Sequence, residues 1–295
     1  MPLSLPTEEP TQGNSAPFGT LFVVATPIGH MEDITLRALR TLKDVDVIAA
    51  EDTRKTRKLL TRHKVSTPLV SYHDHNKEKR TPKLLGKLKA GASIALVTDA
   101  GTPSISDPGY YLVREAIREA VSVVPIPGAS AIVAALSVSG LPTDSFVFIG
   151  FVPRKPGKRQ ALLDQLKQEP RTLIFYESPQ RLLGLMQEIL SVMGDRKAVT
   201  ARELTKVHEE ILRGPLSKMV KQMSASHPLK GECTLLVAGC DTEGKMDRGS
   251  IQNHLRRLHH DHHGSLSDLV KEVARDYGLP KRVVYEEALK MKKEG

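Results

Sequence analysis

Short apolar runs alternate with amphipathic stretches from residue 21 onward, and this alternation constrains the fold more than any other feature. LFVVAT (21–26) reads as a strand, and 33–43 as a helix whose apolar set is Ile34, Leu36, Ala38, Leu39 and Leu42. VDVIAA (45–50) is a second strand, followed by a basic helix. Residues 68–71, 93–97 and 121–124 read as further strands, with helices over 76–89 and 108–119 between them. Strands separated by helical lengths form βαβ units, which predicts a mainly parallel sheet of about five strands.

After PIPGAS (125–130) the pattern changes. An apolar helix (131–139) leads to a strand (145–150), then to a basic loop, PRKPGKR (153–159), with a helix behind it. Strands recur at 172–176, 197–203, 208–213 and 232–239. The connection over 203–210 is too short for a parallel crossover, so this sheet is expected to be mixed, with antiparallel hairpins. The predicted organisation is α/β throughout. It comprises a disordered tail (1–19), one α/β domain (20–125), a second (126–240), a linker (241–264) and a C-terminal helical element (265–295).

Lys and Arg number 43 against 34 Asp and Glu, a formal charge of +9 that favours an anionic partner. Aromatics make up 4% and Trp is absent, which argues against gripping single strands base by base. Cys233 and Cys240 are too few for a disulfide framework or a four-ligand zinc site, and read as core thiols of a reduced, cytoplasmic protein. The first nineteen residues carry four prolines and no apolar core, unlike a secretory signal. No run approaches the ~20 apolar residues of a membrane span.

Familiar phosphate cradles are missing. There is no GxGxxG, and GCDTEGK (239–245) has P-loop spacing with Met246 where a hydroxyl residue should hold magnesium. The histidines at 254, 259, 260, 262 and 263 read as a solvated linker. His73 and His75 share a face if their strand continues, but a metal would need a third ligand, so polar hydrogen bonding is the expected role. In the tail, Ser265 with Asp268 fits a helix N-cap, and Lys281, Arg282, Lys290, Lys292 and Lys293 give a basic surface.

Chemistry concentrates in three βα loops: TPIGH (26–30), AEDTRKTRK (50–58) and TDAGTPSISDPG (98–109). In a parallel sheet the C-terminal ends of the strands lie on one edge, so these loops should converge on a ligand. Gly101 permits close backbone approach and Pro103 fixes the path. Asp107 to Gly109 is expected to shape the helix that follows.

In this order and spacing, TPIGH, AEDTR, HDHN, TDAGTPSISDPG, PGAS, GLPTDSFVFIGF, RTLIFYESPQRL and ARELTKVHEE resemble the tetrapyrrole-methylase-type (class III) methyltransferases. The resemblance is dense over 21–239 and looser beyond. It implies two α/β domains of the tetrapyrrole-methylase type with a small C-terminal helical element. S-adenosyl-L-methionine would fold into the cleft between the domains, within a homodimer and without a metal. The cofactor wall it implies is Pro27, Ile28, Asp99, Ala100, Gly101, Thr102, Pro103, Ser130, Ala131 and Tyr176. The branch of the family most resembled methylates a ribose 2′-hydroxyl of a cytidine in the decoding centre of 16S rRNA, in the small ribosomal subunit.

Such a reaction needs a base near the hydroxyl, and Glu177, Glu203 and Lys206 are the candidates, with Asp99 or Glu51 from the first domain. RNA phosphates should meet Arg54, Lys55, Arg57, Lys58, Arg154, Lys155, Lys158 and Arg159, with Arg181 or Arg202 beside the target. Three positions depart from the family pattern: His30 for a frequent Asn, Ala129 for Pro, and Gln180 for His. Glutamine exchanges no proton at neutral pH, so position 180 is not the base. Two alternatives stay open. One is a small-molecule methyltransferase of the tetrapyrrole type using the same cleft, and the other a non-catalytic ribosome-assembly factor, which predicts no donor binding.

Overall fold

Strands that are apolar on both faces build the first sheet. In the computed structural model, which describes residues 18–225, 231–240, 255, 266–277 and 281–294, these are β1 (Thr20–Val24), β2 (Val47–Ala50), β3 (Leu69–Ser71), β4 (Ile94–Val97) and β5 (Ser122–Ile126). Their order is β3-β2-β4-β1-β5 and every pairing is parallel. Alternate side chains leave the pleat on opposite faces. Val24, Ile48, Ala50, Ala95 and Val97 pack under α1 (Leu36–Asp44) and α2 (Thr53–Arg62), through Ala38, Leu42, Leu59 and Leu60. Leu21, Val47, Ala49, Ile94 and Leu96 pack under α3 (Lys77–Lys89) and α4 (Tyr110–Arg118), through Leu84, Leu88, Leu112 and Ala116.

The second sheet holds β6 (Phe146–Phe151), β7 (Thr172–Glu177), β8 (Lys197–Arg202), β9 (Glu210–Pro215) and β10 (Cys233–Val237), in the order β6-β7-β10-β8-β9. Only β6 and β7 pair in parallel; the other pairings are antiparallel, which gives the mixed sheet anticipated from the connection lengths. Leu173, Phe175, Ala198, Leu235 and Val237 face α6 (Pro156–Leu166), α7 (Pro179–Met193) and α8 (Leu216–Ser224). Ile174, Val199, Ala201 and Leu236 face the apolar helix α5 (Ala131–Ser139), through Ile132, Ala135 and Leu136. Gly140, at φ 74°, ends α5 in the left-handed conformation that glycine adopts without steric cost.

Helices α9 (Leu266–Tyr277) and α10 (Lys281–Glu294) share a small core of Leu255, Leu269, Val270, Val273, Ala274, Val284 and Ala288. The expectations for the N-terminal tail, the histidine tract, Met246 and the Ser265 cap fall outside the described residues. Among the described residues, no helix is long and apolar enough to cross a membrane.

Two local expectations are corrected. Strand β3 ends at Ser71, so His73 and His75 do not continue its face. They sit in the turn before α3, where the Asn76 amide contacts the His73 ring at 3.1 Å and Asn76 Oδ1 accepts the His73 N–H at 2.9 Å. Helix α4 starts at Tyr110 rather than 108, and Gly109 stands at its N-cap with φ 142° and no side-chain cap. Within the turn expected to shape this helix, Gly109 is the residue at its start.

Candidate active site

The three loops at the C-terminal edge of the first sheet meet through backbone donors and carboxylates. Thr26 and Gly101 exchange both backbone hydrogen bonds, at 2.9 and 3.0 Å, and the Thr26 hydroxyl donates to Thr98 O at 3.1 Å. Asp99 accepts the Asp52 N–H at 3.0 Å and the Lys55 ammonium at 2.8 Å, while its own N–H donates to Glu51 at 3.2 Å. Asp52 caps α2 by accepting the Arg54 N–H at 2.9 Å.

The second sheet closes over this edge. The His30 N–H donates to Thr205 Oγ1 at 2.9 Å. A Cβ on Gly29 would lie 2.6 Å from Lys206 Cγ and 2.7 Å from Leu204 O, so only glycine lets the two halves approach this closely. Between them runs a cleft of about 620 Å³, in the size range of small-molecule sites, with Gly101, Thr102, Asp107, Ser130, Tyr176 and Glu177 on its walls. Ile105, Ile132, Phe148 and Phe151 add apolar surface, and the Tyr176 ring lies 5.0 Å from Phe148 and 5.7 Å from Phe151. A smaller cavity of about 240 Å³ adjoins it, sharing Ile28, Ala100 and Glu232 and bordered by Lys55, Lys58 and Lys206.

The loop after β4 is bent into unusual backbone conformations. Gly101 has φ 80°, and Ser104 and Ser106 have φ 74° and 61° without being glycine. Left-handed conformations of non-glycine residues cost about 1 kcal/mol or more each and persist where surrounding contacts fix them. Here β6 supplies one such contact, since a Cβ on Gly150 would stand 3.1 Å from Ser106 Oγ. The bend turns Asp107 into the cleft.

Burial first, then the neighbouring charges of Glu51 and Asp99, push the Asp107 carboxyl up to about 7. Burial likewise raises Glu51, pushes the Tyr176 phenol up to about 12 and the Cys233 thiol up to about 11. Mutually repelling carboxylates in a partly desolvated cleft are a site for a cation. At the opposite wall the Ser130 side chain does not cap α5, and Ser130, Ala131 and Ile132 face the cleft, so the helix start can receive a carboxylate. S-adenosylmethionine carries a sulfonium, an ammonium, a carboxylate and a flat aromatic base, and these residues fit each part.

The structure distributes the anticipated residues unevenly. Ile28, Ala100, Gly101, Thr102, Ser130, Ala131 and Tyr176 line the larger cleft, and Pro27 and Asp99 the smaller cavity. Pro103 is buried beside them. Glu177 is 2% exposed and accepts from the Ser178 N–H at 2.7 Å and from Arg181 Nε at 2.8 Å. Glu203 accepts from Lys206 at 2.9 Å, which holds its carboxyl below the usual range. Burial works against the Lys206 ammonium, but its bonds to Glu203 and Glu232 outweigh that and raise it.

Among the cations, Arg54, Arg57, Lys58, Arg154, Lys155 and Lys158 are exposed, and Lys55 is exposed while bound to Asp99. Arg159 instead clasps both Glu188 oxygens at 2.5 Å and donates to the Pro153 and Arg154 carbonyls, which engages its guanidinium within the fold. Arg181 is held by Glu177, and Arg202 donates to Glu210 at 3.0 Å. Sequence reasoning missed Asp107, Glu232, Phe148 and Phe151. For the two phenylalanines the signal was present in GLPTDSFVFIGF; for Glu232 there was none.

Comparison with known proteins agrees with this geometry. The model of the Tetrapyrrole (Corrin/Porphyrin) Methylases matches residues 20–220. The chain is 48% identical over 271 residues to the ribosomal RNA small subunit methyltransferase I of Halalkalibacterium halodurans, covering 90% of this chain and 93% of that one. It is 46% identical over 280 residues to the protein of the same name from Synechocystis, with coverages of 94% and 100%. Among solved structures, a cobalt precorrin-4 methyltransferase of cobalamin biosynthesis superposes with a TM-score of 0.55 at 19% identity, over 74% of this chain and 94% of that one. A uroporphyrin-III C-methyltransferase from Thermus thermophilus, solved with S-adenosyl homocysteine, gives 0.52 at 20% identity, over 74% and 97%. The chain therefore belongs to the tetrapyrrole (corrin/porphyrin) methylases, a family of S-adenosylmethionine-dependent methyltransferases.

Proposed function

We propose that the protein transfers a methyl group to a ribose 2′-hydroxyl of a cytidine in the decoding centre of 16S rRNA. The observation that carries this reading is the pairing of two unlike cavities. An acid-lined cleft suited to the cationic donor opens beside a smaller cavity bordered by Lys55, Lys58 and Lys206 together with Asp99 and Glu232, where one residue of an anionic polymer can enter. The names of the close relatives favour small-subunit ribosomal RNA as the methyl acceptor, without specifying the nucleotide or the atom.

When bound, S-adenosylmethionine supplies an electrophilic methyl on a positively charged sulfur. The chain's own task is to align the acceptor oxygen in line with that methyl and to exclude competing water. The Thr26–Gly101 pair and the Asp99 bonds fix the loops on the donor side, while the His30–Thr205 bond fixes the halves relative to each other. Outside the cleft, exposed cations on α2, at residues 154–158 where the chain enters α6, and on α3 would hold the flanking phosphates. On α3, Lys79, Lys83 and Lys87 are exposed and share one face by their spacing of four. The reading includes a homodimer, which sedimentation would test.

The direct experiment incubates the protein and labelled donor with small subunits lacking the modification, then maps the label by mass spectrometry. A 2′-O-methyl blocks alkaline cleavage at one nucleotide. Label on a base, or none on RNA while an acidic tetrapyrrole is methylated, would overturn the reading.

A further inference from the structure

Methyl transfer to a ribose hydroxyl forms an O–C bond and breaks a C–S bond, and the hydroxyl proton must go to a base that is free to take it. The anticipated bases are engaged elsewhere. Glu177 is buried against Arg181 and the Ser178 N–H, and Glu203 is bonded to Lys206 and to the Glu232 N–H. Lys206 is shared between Glu203 and Glu232 at 2.9 and 3.2 Å, which keeps it protonated. Asp99 is occupied by Lys55 and the Asp52 N–H. Glu51 receives the Asp99 N–H and lines neither cavity.

One cleft carboxylate is left. Asp107 lines the large cleft beside Thr102 and Ser106 and forms no ion pair among the described residues. Its neighbours are the Thr98 hydroxyl and the like charges of Glu51, Asp99 and Glu232, with the Tyr176 phenol nearby. The left-handed turn at Ser104 and Ser106 aims it there. We infer that Asp107 is the general base of the methyl transfer: its carboxylate takes the 2′-hydroxyl proton as the oxygen–carbon bond forms, and the donor leaves as neutral S-adenosylhomocysteine.

This rests on the reading of the acceptor as a ribose hydroxyl. The geometry gives the carboxylate what the task requires. It is accessible from the cleft and unclaimed by a cation, and the surrounding carboxylates make it a stronger proton acceptor than an ordinary aspartate. The exposed Glu232 lines the same cleft, so the abstracted proton is taken up beside solvent.

The test compares the wild type with Asp107→Asn and Asp107→Glu on unmodified small subunits, with donor affinity measured separately by calorimetry. Wild-type 2′-O-methylation is read first; if that is absent, the functional reading falls and this role falls with it. Given wild-type activity, Asp107→Asn is expected to lower kcat at saturating donor about 10²- to 10⁴-fold, beyond any change in donor Kd, with the fold intact by circular dichroism. The wild-type kcat/KM should rise with pH up to about 7 and then level off. That limb should vanish in Asp107→Asn and return, shifted, in Asp107→Glu. An unchanged kcat, or a loss confined to donor Kd, would show that Asp107 is not the base.

Discussion

The backbone N–H of His30 donates to the Thr205 hydroxyl at 2.9 Å, joining the first loop of the parallel sheet to the hairpin between β8 and β9. Gly29, one residue earlier, has backbone and side-chain atoms of residues 204–206 where a Cβ would stand. Gly29→Ala should force the halves apart. The expected result is a donor Kd weakened at least tenfold with the melting temperature lowered only modestly, read by calorimetry and thermal denaturation. Wild-type affinity would show that the contact does not set the width of the cleft.

Glu177→Gln separates structure from chemistry. It removes the charge from a carboxylate that is 2% exposed and holds Arg181, so unfolding by urea should show a loss of about 1–3 kcal/mol. The pH profile of the rate should keep its shape. A vanished alkaline plateau with unchanged stability would reassign the proton transfer to Glu177.

Stability should depend on pH through Asp107. Its folded carboxyl is raised from 3.8 to about 7, so between those values the native protein holds a proton that the unfolded chain has lost. This contribution is complete below about 4 and disappears as pH rises through 7. The donor-free wild type should therefore lose melting temperature relative to Asp107→Asn over that window. Parallel curves for the two proteins would contradict the assignment. Carboxylates held down by cations, such as Glu188 beside Arg159, act in the opposite sense below their ordinary values and cancel in the comparison.

The triple replacement Lys79→Gln, Lys83→Gln and Lys87→Gln tests the α3 surface. Each lost phosphate contact removes about 0.7–0.9 from the slope of log affinity against log salt, so the slope for the RNA substrate should flatten by about 2 to 3. Arg159→Gln should leave that slope alone and instead lower stability, because its guanidinium is bound to Glu188 and two carbonyls. The reverse pattern would exchange the roles of the two surfaces.

Much of this architecture was legible in the chain. Apolar runs bounded by turns located the strands, and TPIGH, AEDTR and TDAGTP lie together because every strand of a parallel sheet ends on one edge. What stayed hidden depended on contacts remote in sequence or on local backbone angles. PRKPGKR reads as a basic loop with Arg159 as a phosphate ligand, but the chain is helical from Pro156 onward and Glu188 on α7 holds the Arg159 guanidinium. Asp107 precedes a helix and reads as part of the turn that shapes it, and only its place on the cleft wall, just after the left-handed Ser104 and Ser106, gives it another role. Glu232 stands before β10 in a stretch with no motif at all.

Strand β10 is the last of the second sheet to be made, yet it lies between β7 and β8, which do not touch without it. Cys233 and Thr234, at its start, are part of the cleft wall. During synthesis the parallel sheet can be complete once residue 126 has emerged, whereas the mixed sheet waits for residue 237. Donor binding thus reports a chain made at least through β10, and a nascent or truncated product that ends before β10 carries the first loops but no cleft to close over them.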